Sequence, residues 1–334
     1  MASLKLGTRG SQLALFQAHA VAGLLQSRAG VSCDIVVITT SGDRLAEAPL
    51  AEIGGKRLFV KEIEDALLGG TIDLAVHSSK DMPAVLPPGL ALGAVLPRED
   101  ARDAVVLPSG ADLQSGEPMS AVPEDVTLQE VVRRLGQAPR IGTSSVRRVA
   151  QLTRLFPGAR FGPIRGNLDT RLRKLDAGEF DAIVLAAAGL IRLGYGRRIS
   201  ATLPADACVP APGQGIIAVQ IRSDDTTTRD VVKKIDDPIA AAALTAERVV
   251  VTRLGGGCQM PIGAYAIASE HGLTLTAVVV SLDGARTARA ETRGLLTEAE
   301  LVGAKAAEQL LERGAADILA DVDAVRAGIE GPRP

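Results

Sequence analysis

Arg140-Ile141-Gly142-Thr143-Ser144-Ser145-Val146-Arg147-Arg148-Val149-Ala150 is the stretch on which the fold turns. A short strand ends in Gly-Thr, a hydroxyl-rich turn follows, and a helix opens. The same order stands at the beginning of the chain. Leu4 to Leu6 reads as a strand and Gly7-Thr8-Arg9-Gly10-Ser11 as the turn, after which Leu13, Phe16, Ala20 and Leu24 fall at helical spacing with Ser11 as the N-cap. A second echo follows in each half, since Gly70-Thr71-Ile72-Asp73-Leu74-Ala75-Val76 matches Gly178-Glu179-Phe180-Asp181-Ala182-Ile183-Val184 in its placement of Gly, Asp and an apolar strand. Strand and helix signals alternate through roughly the first 235 residues, the pattern of α/β layers. Two similar α/β domains facing a common cleft account for the duplication.

Outward from these repeats the composition changes twice. Pro108 to Pro139 holds Ser109-Gly110, Gly116-Glu117-Pro118 and Pro123-Glu124-Asp125, which favours linker and insertion over core. Beyond about residue 235, Ile239 to Arg253 reads as a helix broken by Gly255-Gly256-Gly257. Ile262–Ala268 and Leu273–Val280 read as strands, and two Ala- and Leu-rich helices close a small α+β third domain. A length of 334 residues agrees with more than one domain.

Charge and cysteine usage narrow the function classes. Lys plus Arg number 37 against 39 Asp plus Glu, a net charge of -2, so no global basic field points to nucleic acid. Aromatic residues make up 2% of the chain and Trp is absent, so the core must come from Val, Leu, Ile and Ala, and stacking on aromatic platforms is disfavoured. The first residues lack a long apolar segment and no run of about 18 apolar residues occurs, so the expectation is a soluble, cytoplasmic protein without a membrane partner. Cys33, Cys208 and Cys258 show no C-x-x-C spacing, which argues against a disulfide framework and a structural zinc; no metal is expected.

Strand-to-helix turns are where unpaired N–H groups and helix dipoles favour anions. Arginines recur there: Arg9 in the first Gly-Thr turn, Arg147 and Arg148 after the second, and Arg165-Gly166-Asn167 with Arg171 after the strand-like Phe161 to Ile164. Arg192 lies past Ala186-Ala187-Ala188-Gly189. Such a set suits a ligand with many carboxylates, because each guanidinium pairs with a carboxylate bidentately. Solvated helix-face charges are the plainer alternative for any one of them. Cations at a helix N-terminus oppose the dipole, and a polyanionic ligand would resolve that conflict.

Asp73 to Asp81 reads as an apolar strand running into His77-Ser78-Ser79-Lys80-Asp81-Met82-Pro83. Asp81 is an acid/base candidate, or simply closes a turn before Pro83. Cys258 follows the triple glycine, a context that exposes a thiol for covalent chemistry, whereas Cys33 and Cys208 read as inert buried residues.

Seven segments together resemble the porphobilinogen deaminase (hydroxymethylbilane synthase) family over nearly the whole chain. They are Leu6-Gly7-Thr8-Arg9-Gly10-Ser11-Gln12-Leu13-Ala14-Leu15, Gly54-Gly55-Lys56 with Leu58-Phe59-Val60-Lys61-Glu62, and His77-Ser78-Ser79-Lys80-Asp81-Met82-Pro83. Then come Gly142-Thr143-Ser144-Ser145-Val146-Arg147-Arg148, Arg165-Gly166-Asn167, Pro212-Gly213-Gln214-Gly215 and Gly257-Cys258-Gln259-Met260-Pro261-Ile262-Gly263.

The resemblance implies two periplasmic-binding-type (type II) α/β lobes with the active site between them, plus a small α+β C-terminal domain. The expected division is 1–103 with 216–235 for the first lobe, 104–215 for the second with its insertion at 108–139, and 236–334 for the cofactor-attachment domain. It implies a transferase of porphyrin and haem biosynthesis that joins four porphobilinogen molecules into hydroxymethylbilane with release of ammonia. A dipyrromethane primer, made from the enzyme's own substrate, is expected on a thioether to Cys258. Asp81 and Lys80 match the catalytic position, where a buried carboxylate can stabilise the azafulvene cation left by ammonia loss. Cofactor contacts fall on Arg9, Ser11, Lys80, Asp81, Thr143, Ser144, Ser145, Arg147, Arg148, Arg165, Gly166 and Arg171, and substrate contacts on Arg9, Lys56, Phe59, Arg165, Arg171 and Arg192. A monomer is expected, with domain movement and a mobile loop around Gly54 to Phe59 to make room for each added pyrrole.

Two features depart from the family pattern: Arg57 stands where a glycine is common, which bears on that loop, and the 108–139 segment is long. A two-lobed solute-binding protein would share the arginines and the repeat, but would not need Cys258 in a third domain, and the missing leader segment counts against it. A DNA-binding regulator would need a helix-turn-helix ahead of the α/β core, and none is read there.

Overall fold

The two Gly-Thr turns lie at equivalent ends of two sheets. The computed structural model describes residues 3–44, 60–109, 127–257 and 259–330, so Lys56, Arg57, Phe59, Cys258 and most of the expected insertion fall outside the described residues. The chain begins with β1 (Leu4–Thr8), α1 (Gln12–Ala29), β2 (Cys33–Val37), α2 (Ser41–Arg44), α3 (Lys61–Leu68), β3 (Leu74–Ser78) and β4 (Leu90–Val95). It then crosses to β5 (Asp103–Val106), α4 (Leu128–Leu135), β6 (Arg140–Gly142), α5 (Val146–Leu155) and β7 (Arg160–Gly162). In the same lobe follow α6 (Leu168–Asp176), β8 (Ala182–Ala186), α7 (Ala187–Arg192) and β9 (Ala201–Thr202). A second crossing returns it to β10 (Ile217–Arg222) and α8 (Thr226–Val232).

The first sheet runs β2-β1-β3-β10-β4 and the second β7-β6-β8-β5-β9. In each, one strand that arrives from across the molecule inserts antiparallel at the fourth position: β10 against β3 and β4, β5 against β8 and β9. The two lobes thus share one strand order. Parallel pairing of β1 with β3 and of β6 with β8 sets the two sequence echoes in the same relative places.

Ser11 caps α1 as expected, its hydroxyl accepting from Ala14 N at 3.3 Å. The buried face of that helix is offset from the expected one. Gln17, Ala18, Val21 and Leu25 face the core while Phe16 is exposed, because β-sheet contact favours the smaller Ala18 and Val21 over the ring. Within the segment read as linker and insertion, α4 is a capped helix: Thr127 accepts from Glu130 N and Val131 is fully buried against the second lobe.

The third unit comprises α9 (Pro238–Arg253), β11 (Ile262–Ser269), β12 (Gly272–Val280), β13 (Thr287–Gly294), α10 (Ala299–Glu312) and α11 (Ala315–Glu330). Its antiparallel sheet β11-β12-β13 contains one strand more than the periodicity revealed, since Thr287–Gly294 alternates small apolar and charged residues. Leu275, Val279, Val250, Ala306 and Leu310 fill its core, each large side chain contributing about 1.5–3 kcal/mol on burial. The α9 helix also packs Ala240 and Leu244 on Met82, Val95, Ile216 and Ala218 of the first lobe. One helix therefore touches both the third unit and the segment after Asp81. Among the described residues no helix is long and apolar enough to cross a membrane.

Candidate active site

At the end of β3 the chain makes a single 3-10 turn, Ser79–Asp81, with Ser79 N bonded to Ile216 O and Met82 N to Ser79 O. Asp81 is exposed, not buried as expected, and its carboxylate makes no hydrogen bond or ion pair among the described residues. A turn at the mouth of a strand places it at the sheet's edge, where solvent reaches it. Lys80 keeps part of its surface open, yet burial of its ammonium pulls its pKa down to about 8. Asp81 and Asp103 oppose that shift, and Arg148 and Arg147 add to it.

Those arginines come from the second lobe. Arg171 on α6 is likewise pulled down, to about 10, by burial and by Arg148 and Arg165, against the pull of Asp81. Charges of the two lobes thus face each other across the cleft. The lobes also touch where Leu13 of α1 meets Gly189 of α7, at 3.7 Å from where a Cβ would stand.

The α5 and α6 N-termini converge on this place. Ser145 caps α5 by accepting from Arg148 N (3.4 Å), Thr143 Oγ1 accepts from Ser145 N (3.3 Å), and Ser144 Oγ donates to Ile164 O (2.8 Å), which ties the two helix entries together. Gly166 adopts φ +104, and a Cβ there would stand 2.6 Å from Thr170 Cγ2, so only glycine fits at the α6 entry. Its carbonyl accepts from Arg171 Nε at 2.9 Å, and Arg165 lies beside it.

Arg147 and Arg148 do not resolve their conflict with the helix dipole in the expected way. Asp103, the first residue of β5 and fully buried, pairs with Arg147 Nη1 and Arg148 Nη2 at 2.8 Å each. Burial raises its pKa, but the two guanidiniums and Gln214 more than offset this and hold it below the usual carboxylate range. Gln214 Nε2 donates to Asp103 Oδ1 at 2.8 Å, and the Cys208 thiol donates to Asp103 Oδ2 at 3.4 Å. Asp103 was not singled out from sequence, where its one signal was an acidic residue opening the apolar Asp103-Ala104-Val105-Val106 strand, and Gln214 was named only within the Pro212-Gly213-Gln214-Gly215 segment, without a role.

The remaining expected residues lie further out. Arg9 pairs with Asp43 at 2.5 Å, and its charge is felt at buried His77, whose pKa falls to about 4 chiefly through burial. Arg192, at the end of α7, donates to Gly215 O in the second crossing (2.7 Å). Cys208 is buried, its thiol pushed up to about 12 by burial and Asp103, while Cys33 is only half-buried and pushed to about 11. Among the described residues no cluster of three or more His, Cys, Asp or Glu is placed to hold a metal.

Residues 4–230 match "Porphobilinogen deaminase, dipyromethane cofactor binding domain" and 241–312 match "Porphobilinogen deaminase, C-terminal domain". The chain belongs to the porphobilinogen deaminase family. It is 44% identical over 322 residues to porphobilinogen deaminase of Syntrophotalea carbinolica, covering 96% of each chain. The Geobacter metallireducens protein of that name is 44% identical over 320 residues, covering 96% of this chain and 94% of the other. Among solved structures, an amino acid ABC transporter substrate-binding protein from Streptococcus pneumoniae is similar at TM-score 0.37 and 15% identity, covering 70% of this chain and 86% of that one.

Porphobilinogen deaminases are transferases of tetrapyrrole biosynthesis, and the dipyrromethane cofactor belongs to the domain matched by 4–230. The residues present fit such a group. Arg147 Nε and Ser79 Oγ are buried without a hydrogen-bond partner, and Lys80 makes no ion pair among the described residues. Two carboxylates, Asp81 and Asp103, stand against Lys80, Arg147, Arg148, Arg165 and Arg171, an excess of cations suited to acetate and propionate groups.

Proposed function

We propose that this chain links four porphobilinogen molecules head to tail into hydroxymethylbilane, releasing ammonia, in the cleft between the Ser79–Asp81 turn and the α5 and α6 entries. The observation that carries this reading is the unbonded Asp81 carboxylate facing a cationic wall from the other lobe. When bound, dipyrromethane supplies the nucleophilic pyrrole end to which substrate is added, and Cys258 is the residue to hold it as a thioether.

Asp81 stabilises the positive charge that develops on the substrate as ammonia leaves, and takes up or returns protons there. An exposed position lets it meet successive substrates without itself being rebuilt. Lys80, Arg171 and Arg165 bind acetate and propionate groups, with Thr143, Ser144, Ser145 and the helix N-termini completing the anion site. Arg147 and Arg148 contribute through the faces that Asp103 leaves uncovered, Ser11 is assigned to the cofactor, and Arg9 and Arg192, with Lys56 and Phe59 outside the described residues, are assigned to the substrate's path. We assign the work to a monomer in the cytoplasm, acting without nucleic acid; unpaired cysteines suit a reducing compartment.

Intact mass of the purified protein beside a Cys258→Ala variant tests the assignment. Added mass of two linked pyrroles on the parent alone supports it. No adduct and no ammonia from porphobilinogen would refute it and favour a two-lobed binding protein.

A further inference from the structure

We infer that Arg248, supported by its neighbour Glu247, is a positioning residue that holds the Asp81 turn in place from the third unit; the inference rests on the deaminase reading of that turn. Arg248 lies on α9 and reaches into the first lobe, where its Nη2 donates to Pro83 O at 2.8 Å and to Ala84 O at 2.7 Å. The two carbonyls lie two and three residues after Asp81, in a stretch with no regular secondary structure. Two charge-assisted bonds from one rigid guanidinium fix the exit of the turn.

Glu247 fixes the other side. It is fully buried and accepts from Gly213 N at 2.7 Å, Arg98 Nη2 at 2.7 Å and Ala266 N at 2.7 Å. Gly213 belongs to one interlobe crossing and Arg98 to the other, so a single carboxylate holds both to β11. Gly213 has φ +73, and a Cβ on it would stand 2.5 Å from Ser79 Oγ, the first residue of the turn. Ser79 is therefore seated against a backbone that Glu247 holds.

Burial alone does not require this arrangement. An arginine serving only as a surface charge would not direct its donors at two consecutive carbonyls in another lobe. Residues 247 and 248 sit one turn and more before the end of α9, the helix that leads into the Gly255-Gly256-Gly257 segment and Cys258. The helix thus spans from the turn that bears the acid to the loop that would bear the primer, and its rise per residue sets their separation. Misplacement of a catalytic group by about 1 Å can cost on the order of 100-fold in rate.

Arg248→Met, which keeps the stem and removes the donors, and Arg248→Lys, which restores one cation, test this in the full-length enzyme. Activity is expressed per molecule that is folded by circular dichroism and loaded by intact mass. Arg248→Met is expected to lower kcat at least about 10-fold with KM for porphobilinogen within about 2-fold, and Arg248→Lys to recover part of kcat. Hydrogen exchange supplies a readout independent of turnover: the amides of Ser79 and Met82 should exchange faster in Arg248→Met, while those of β8 stay unchanged. Unchanged kcat per loaded molecule, or unchanged exchange at Ser79 and Met82, overturns the inference. If Arg248→Met does not fold, the same two criteria are applied to Arg248→Lys. Faster exchange in a protein whose parent releases no ammonia would keep the positioning role and remove the deaminase reading instead.

Discussion

Replacing Asp103 by Asn leaves the side-chain shape almost unchanged and removes the one anion between two buried guanidiniums. Arg147 and Arg148 are each 2.8 Å from its oxygens, with side-chain exposures of 4% and 8%. At an effective dielectric near ~20, unit charges about 4 Å apart interact by roughly 4 kcal/mol, and desolvation of the three groups cancels much of the sum. Breaking such a buried group by removing one partner costs about 3–5 kcal/mol, because the remaining charges stay uncompensated. For a cooperative unit of ~150–250 residues, that is a fall in melting temperature of roughly 6–20 °C.

The pH dependence separates this charge effect from lost packing. Asp103 is held below the usual carboxylate range in the folded protein, so its contribution is present above the unfolded pKa and lost as pH falls through the folded value. Urea midpoints of parent and Asp103→Asn should therefore differ fully at pH 7. Below about pH 4 the gap should narrow by about 1.4 kcal/mol per unit, because the parent takes up a proton at Asp103 as it unfolds and its unfolding is therefore favoured as pH falls. A variant within about 1 kcal/mol of the parent at pH 7, or a gap that does not narrow in acid, refutes the charge-compensation argument.

Asp81→Asn should lose about 10²–10⁴ in turnover while its unfolding free energy in urea changes by no more than about 0.5 kcal/mol, since the exposed carboxylate makes no hydrogen bond or ion pair among the described residues; near-parental ammonia release would remove it from the chemistry. In protein freed of dipyrromethane, acylation of Lys80 should titrate with a midpoint near pH 8, and a midpoint near that of an ordinary lysine would show that burial does not desolvate it. The sign follows: with a folded pKa depressed to about 8, the ammonium weakens the fold below that pH, and stability rises between about pH 8 and the unfolded value. Gly213→Ala should destabilise by about 1–2 kcal/mol for the positive φ alone and slow turnover through Ser79; parental values of both would mean the close approach relaxes freely.

Local pattern made the lobes legible. The strand, Gly-Thr turn and helix at 4–24 and 140–150 became β1–α1 and β6–α5, and the Ser11 cap needed only neighbours in sequence. What sequence concealed depends on distance along the chain. Asp103 meets Arg148 across 45 residues, Glu247 meets Arg98 across 149, and Arg248 meets Pro83 across 165. No periodicity encodes these pairs, because they exist only once the chain has crossed twice between the lobes. The α1 face was misplaced for a related reason: helical spacing fits either Phe16 or Ala18 and Val21, and the sheet beneath chooses the set that packs.

The swapped strands also explain which cations remain for a ligand. β5 is the strand that the second lobe receives from the first crossing, and it brings Asp103 beneath the α5 arginines as it inserts beside β8. Those two guanidiniums are thereby fixed and largely compensated before any anion arrives. Among the described residues Lys80 and Arg171 have no such carboxylate among their hydrogen bonds, and burial depresses both, so the cost of keeping them charged falls on the folded protein. An incoming carboxylate relieves that cost directly, each unit of restored pKa being worth about 1.4 kcal/mol. The binding energy should therefore concentrate at Lys80 and Arg171, beside Asp81, with the buried arginines acting as the rigid base from which that site is aimed.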